Sequence, residues 1–246
     1  MRGDCSMSRR NGKTNLRELA YQRFTHNLYI AKLRPGQFIS QRELVEMTGV
    51  SLAAIREVIP RLEAEMLLET VPQRGMQIAP VDLRMVKEVF QLWTILAKAA
   101  AERFNQIASG EVVDELLLLH KDILLRATRL PDENLLEDAR NLDRRFHELL
   151  IQALENEIIG NVYRVNRIKI DMIRMFRDRD DVYDVIASAK ERMKIIEALK
   201  RHDVTQVIRA VEEHADATLH RAVVFLGGGV PPRGLAANAE EGIIAA

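Results

Sequence analysis

The chain has 246 residues and a mass of 28.1 kDa, with 47% apolar, 5% aromatic and 29% charged side chains and a formal net charge of zero. That is enough chain for two ordinary domains; its bias to Leu, Ala, Arg and Glu favours helices, and no apolar run approaches the roughly 18 residues that span a membrane. A single cysteine, Cys5, excludes an internal disulfide, and with no signal-peptide pattern the chain is expected in the reducing cytoplasm.

The zero net charge hides a division. Residues 1–80 hold twelve Lys/Arg against eight Asp/Glu, and the remainder holds 24 against 28. A basic front and an acidic back suit phosphate contact by the first part alone, although chance variation accounts for the asymmetry equally well.

Residues 1–13 are polar and read as a disordered tail. Residues 14–80 then form one module. Apolar positions from Asn15 to Lys32 recur at helical spacing until Pro35-Gly36 closes the turn, and Phe38-Ile39 is an apolar lead into a cap at Ser40. Ser40 with Glu43 is a capping box for a short helix, and Gly49 supplies the left-handed corner of a helix-turn-helix. Ser51 caps a second helix whose Ile55, Ile59, Leu62 and Met66 form an inward stripe, with Ala53, Ala54, Glu57 and Arg61 turned away and Arg56 on the shoulder. Two short strands around Pro72-Gln73-Arg74-Gly75 make a hairpin wing. Beyond Pro80, residues 82–226 read as six helices near 82–108, 111–130, 132–154, 157–178, 182–201 and 204–225. A Gly/Pro-rich stretch then starts a flexible tail, 227–246. The fold class is all-α with a small β wing: an N-terminal winged helix-turn-helix and a C-terminal antiparallel helical bundle.

This motif order, SQRELVEMTGVS and IREVIPRLEAE followed by Asp143-x-x-x-His147 in a bundle, resembles the GntR transcriptional regulators of the FadR subfamily, whose effector domain is called FCD. The resemblance runs from about Leu16 to Phe225. It implies DNA contacts from Arg42, Ser51 and Arg56 and from the wing tip, Arg74-Gly75. An arginine fork can grip guanine bidentately, and a helix-start hydroxyl or amide can hold a phosphate. The chain departs from the family pattern in three places here: Leu52 and Pro60 stand where arginines are usual. Met66 replaces the glycine that normally ends the helix, so the turn into the wing must form without the usual left-handed residue.

The resemblance also implies a divalent metal such as zinc, held by an Asp and three His, that helps bind a small organic acid. Asp143, His147 and His214 match three of those ligands, but Arg192 stands at the fourth, and a guanidinium cannot ligate a metal. Either the three remaining ligands bind a metal, or Arg192 replaces it, pairing with Asp143 or with an effector carboxylate. Trp93 and Ala97 stand where the family often has Arg and Glu, so Trp93 lines the effector pocket or is ordinary core. His26, His120, His202 and His220 read as surface or packing residues.

The expected function is a sequence-specific DNA-binding transcriptional regulator, a repressor rather than an enzyme, controlled by a small carboxylate effector. It is expected as a homodimer on double-stranded DNA at a palindromic operator, with no membrane partner. The rivals are a metal-dependent helical-bundle hydrolase built on Asp143, His147 and His214, and a module whose winged helix binds protein.

Overall fold

The computed structural model describes residues 5–129, 131–176 and 182–227, with side chains from residue 16 onward apart from that of Phe176. The first helix, α1, spans Cys5–Tyr29 and so begins well before the expected Asn15. Residues 1–4 of the expected front tail, and the rear tail beyond Gly227, lie outside the described residues. The strand β1 (Phe38–Ile39), helices α2 (Gln41–Thr48) and α3 (Leu52–Ala64), and strands β2 (Leu68–Val71) and β3 (Gly75–Ile78) complete the winged helix.

Local signals set these elements. Ser40 Oγ accepts from the Glu43 amide at 3.2 Å while Glu43 Oε2 accepts from the Ser40 amide at 2.7 Å, which closes the capping box of α2. Gly49 ends α2 at φ 63°, and Ser51 caps α3 by accepting from the Ala54 amide. Ile55, Val58, Ile59 and Leu62 bury one face of α3, joined by Ala54, which was expected to turn outward. Pro60 sits on the exposed side of an otherwise continuous helix. Phe38-Ile39 is more than a lead into the cap. It pairs antiparallel with β3, giving a three-stranded sheet in the order β1-β3-β2.

Two expectations about Met66 need correction. Its side chain is 65% exposed, so it is not part of the inward stripe. Nor does the chain leave α3 without a left-handed residue, because Met66 itself adopts φ 54°. The Met66 amide donates to Glu63 O and the Leu67 amide to Leu62 O, both at 2.9 Å, the paired closure of a Schellman motif. The strain that glycine would avoid is accepted because those two bonds satisfy the last carbonyls of α3.

Helices α4 (Leu83–Ile107), α5 (Gly110–Arg129), α6 (Leu135–Gln152), α7 (Glu157–Phe176), α8 (Val182–Lys200) and α9 (Val204–Leu226) form the bundle. Helix α4 packs on α9, α6 and α7, while α5 and α9 flank α8. A first apolar cluster runs without a break from Ala20 and Phe24 of α1 through α4 to Ala222 of α9. A smaller second cluster joins α5, α6 and α8 around Ile123, Leu135 and Ala189. Helix α1 packs on both α3 and α7, so it is the joint between the two halves.

Replacing Met66 with Gly should remove the left-handed penalty without losing packing. A rise in unfolding free energy of about 1 kcal/mol, read from urea midpoints at constant slope, is the expected outcome.

Candidate functional site

The exposed face of the winged helix carries the residues expected to meet DNA. Arg42 projects from α2 and pairs with Glu46 four residues on, at 3.3 Å. Arg56 projects from α3, where its Nε donates to Gln41 Oε1 at 3.1 Å; it pairs with neither Glu57 nor Glu63. Ser51 is exposed at the start of α3, and its hydroxyl proton stays free to donate while the oxygen accepts from Ala54. Arg74 is exposed at the tip of the wing. Gly75 beside it has φ 89°, and a Cβ there would lie 3.2 Å from Ile39 O, so the tip requires glycine. Leu52 is exposed beside Ser51, an apolar group on a face otherwise polar.

The bundle encloses a charged cluster to which every one of its helices contributes. Asp143 on α6 is 3% exposed. Its Oδ1 accepts from Arg192 Nη1 of α8 at 2.8 Å, and its Oδ2 accepts from Arg167 and Arg174 of α7 at 2.9 and 2.8 Å. His147 Nε2 lies 3.4 Å from the same Oδ1. Arg192 Nε donates to His120 Nε2 of α5 at 3.1 Å, and His120 Nδ1 donates to Leu116 O at 2.7 Å. On α9, His214 Nδ1 donates to Glu191 Oε2 at 2.7 Å, and Arg221 holds the same carboxylate at 2.6 and 2.9 Å. Trp93 of α4 meets His147 and His214 edge-on with centroids 5.1 and 5.5 Å away, and the two imidazoles stack at 5.9 Å.

The electrostatics follow from burial set against these partners. Burial alone would raise the Asp143 carboxyl, but Arg174, Arg167 and Arg192 outweigh it and hold it well below the ordinary range. Burial pushes His147 down to about 4 and His120 to about 3, the latter helped by Arg192, and lowers His214. Burial would also raise Glu191, yet Arg221 and His214 bring it down to about 2. The three imidazoles are therefore neutral at pH 7.

Thus Asp143, His147, Arg192, His214 and Trp93 lie together. The sequence does not single out Arg167, Arg174, Glu191 and Arg221, and His120, expected as a surface or packing residue, is fully buried and also a partner of Arg192. The i, i+4 spacing of His120 on Leu116 and the seven-residue spacing of Arg167 and Arg174 were the only signals. Trp93, Ala97, His147, Leu150, Ile151 and Tyr163 border a gap that is too narrow to admit a water molecule.

The metal that the family resemblance implies does not fit this donor set. Both Asp143 oxygens already accept from guanidinium groups, and a divalent ion on them would stand beside three fixed cations. His214 turns its Nδ1–H to Glu191, so only its Nε2 lone pair could ligate. Among the described residues no group of three or more His, Cys, Asp or Glu is arranged to hold a metal ion. The choice left open between metal and Arg192 falls, on donor chemistry, to Arg192.

A family profile described as bacterial regulatory proteins, gntR family, matches residues 16–78, and the FCD domain profile matches residues 88–217. The chain belongs to the GntR family of DNA-binding transcriptional regulators and carries an FCD domain. It is 28% identical over 186 residues to YdhC of Bacillus subtilis (strain 168), an uncharacterized HTH-type transcriptional regulator, covering 74% of this chain and 79% of that protein. It is 24% identical over 183 residues to the HTH-type transcriptional repressor RspR of Escherichia coli (strain K12), covering 74% and 78%. Among solved structures it is similar in fold to E. coli McbR/YncC, with TM-score 0.68 at 17% identity over 85% of this chain and 97% of that one. It also matches the metal-free FCD domain of TM0439, with TM-score 0.52 at 23% identity, covering 61% and 99%. The matching families and the two relatives are transcriptional regulators rather than enzymes, which sets the hydrolase reading aside. No helix among the described residues is long and apolar enough to cross a membrane.

Two measurements check the cluster. A fitted metal at a hundred times its dissociation constant would add about 2.7 kcal/mol. Added zinc or a chelator should instead leave Tm unchanged, and stoichiometric tightly held metal would overturn the assignment. The second concerns acid. His147 and His120 fall from the ordinary 6.5 to about 4 and about 3, so below pH 6.5 the unfolded chain binds more protons than the folded one. Stability is full above that value and is lost as pH drops toward 4, by up to about 1.4 kcal/mol per pH unit for each imidazole. In urea titrations, His120→Gln, which can keep both hydrogen bonds, should show a shallower acid slope.

Proposed function

We propose that this regulator is a repressor that binds a palindromic operator as a homodimer and releases it when a small carboxylate reaches the helical domain. The observation that carries the effector half is the charge count around Asp143. Among the described residues, Arg144, Arg167, Arg174 and Arg192 are linked by ion pairs to two carboxylates, Asp143 and Asp171. A second anion would be drawn to that surplus, with Arg192 and the partly exposed Arg174 as its forks and His147, His214 and Trp93 as its wall. The Trp93 ring would have to leave the two imidazoles for it to enter. Binding then acts through differential affinity, because the open arrangement is favoured only by as much as the ligand prefers it.

On the DNA side, Arg56 would read a base from the major groove, with Arg42 and Ser51 on the flanking backbone and Arg74-Gly75 following the groove edge. Leu52 offers a methyl-rich contact in place of an ionic one, so the preferred operator should differ at that base pair. Cytoplasmic residence accords with this role.

Arg56→Ala should weaken operator binding about tenfold to a hundredfold, the loss of about 1–3 kcal/mol of base discrimination, while binding to unrelated duplex changes far less. Fluorescence anisotropy on labelled operator, repeated across a salt series, measures both. Unchanged operator affinity would refute the role given to α3.

A further inference from the structure

Helix α4 turns one face to solvent along its length, with Arg84, Lys87, Gln91, Ile95 and Glu102 exposed on it. Ile95, at the middle of that face, is 60% exposed. Beside it, between α4 and α9, runs a groove of about 600 Å³. Buried Phe90 and Ala215 and half-buried Ile208 and Leu219 line this groove. A single exposed isoleucine needs no explanation. An isoleucine that protrudes next to an apolar groove is a knob beside a hole, and a surface with both can receive a copy of itself.

The charges around the groove favour such a copy over other partners. Lys87, Lys98, Glu102 and Asp216 border it, two cations and two anions. A nucleic acid or a strongly charged peptide meets no net field there, whereas a face that pairs with itself needs opposite charges of its own. On α4, Arg84 pairs with Glu88 and Lys98 with Glu212, while Lys87 and Glu102 have no ion-pair partner among the described residues.

The positions of those two residues fix an arrangement. Lys87 lies seven residues before Thr94, and Glu102 lies seven after Ile95. They stand about 60° apart round the helix and about 22 Å apart along it. When two copies of α4 run side by side in opposite directions about an axis between Thr94 and Ile95, each Lys87 faces Glu102 of the partner subunit. Gln91 then faces the partner's Lys98, a neutral amide against an ammonium. Copies running in the same direction would set Lys87 beside the partner's Lys87. The charge pattern selects the antiparallel arrangement.

We propose that the α4–α9 groove is the face on which two copies of this chain meet. Ile95 of each copy sits in the groove of the other, and two reciprocal Lys87–Glu102 pairs set the register. This rests on the homodimer reading given above and adds to it the residues that make the contact and the direction in which the helices cross.

The test is sedimentation equilibrium on the full-length protein at low and moderate salt. The unaltered chain should be a dimer. Ile95→Glu, which puts a carboxylate into an apolar groove, should raise the dimer Kd at least about tenfold. Lys87→Glu and Glu102→Lys each set like charges face to face at both ends of the contact, so each should raise Kd about tenfold, and less at high salt. Combining the two reversals restores opposite charges and should return Kd to within about threefold of the starting value. Leu118→Glu, at a comparably exposed leucine on α5, should leave Kd unchanged. All these positions are exposed, and circular dichroism melts establish that each variant is folded. Unchanged Kd in Ile95→Glu, or no recovery in the double reversal, overturns the proposal while leaving the homodimer reading intact. Dissociation in Leu118→Glu alone would place the contact on α5 and do the same. A chain that is monomeric without any substitution would leave the groove to another partner and overturn both.

Discussion

One fully buried carboxylate ties three helices of the bundle to one another. Asp143 accepts from guanidinium groups on α7 and α8 while standing on α6, so three helices converge on two oxygen atoms. Taking a carboxylate out of water costs several kcal/mol, and the Coulomb return offsets this only when the geometry is good and the remaining lone pairs are satisfied. Here both oxygens accept at 2.8 to 2.9 Å, and the imidazole of His147 lies beside one of them. Removing one member of such a group leaves an uncompensated buried charge, which costs about 3–5 kcal/mol. The cluster is therefore an obligatory set.

Arg192 changes the chemistry of the place more than its size suggests. A guanidinium is a cation that cannot dissociate, and its planar fork has two jobs here, Nη1 to Asp143 and Nε to His120. The second bond fixes the tautomer of His120, since Nε2 can accept only if Nδ1 carries the proton. Glu191 does the same for His214 from the other side, and Arg221 anchors Glu191 in turn. A histidine set that could have served a metal is committed to neutral packing, with Trp93 closing over two of the rings.

How much of this was legible in the sequence depends on the range of the interaction. The capping box at Ser40, the left-handed Gly49 and the wing turn depend on residues at most four apart, and the chain states them directly. The convergence of Asp143 with Arg192 and His214 was reached through family resemblance, since nothing in their spacing brings three helices together. Arg167 and Arg174 were invisible for a plain reason: in an amphipathic helix rich in Arg and Lys, an inward arginine looks like its solvated neighbours until its partner is known. Met66 failed for a different reason. Its apolar side chain fits the i, i+4 stripe, but the helix ends at Ala64, and two backbone bonds outweigh the preference of a methionine for negative φ. β1 escaped because two residues carry no periodicity.

The two halves of the molecule meet through an aromatic ring. Tyr21 of α1 has Arg61 of α3 above its ring at 3.6 Å and Arg164 of α7 at 5.4 Å, while its hydroxyl donates to Glu65 at 2.6 Å. Arg61 is held by Glu18 and Glu65 at 2.7 and 3.0 Å, so the end of α3 is tied to α1. The tie from α1 to the bundle through Arg164 is longer and exposed, and so weaker. A second contact, Arg144 of α6 over the Tyr29 ring at 4.4 Å, joins the C-terminal end of α1 to the bundle. Two points along α1 are thus tied across the joint by an arginine over a ring, and between them the apolar cluster passes from α1 into the bundle without a break, so the two halves share one core.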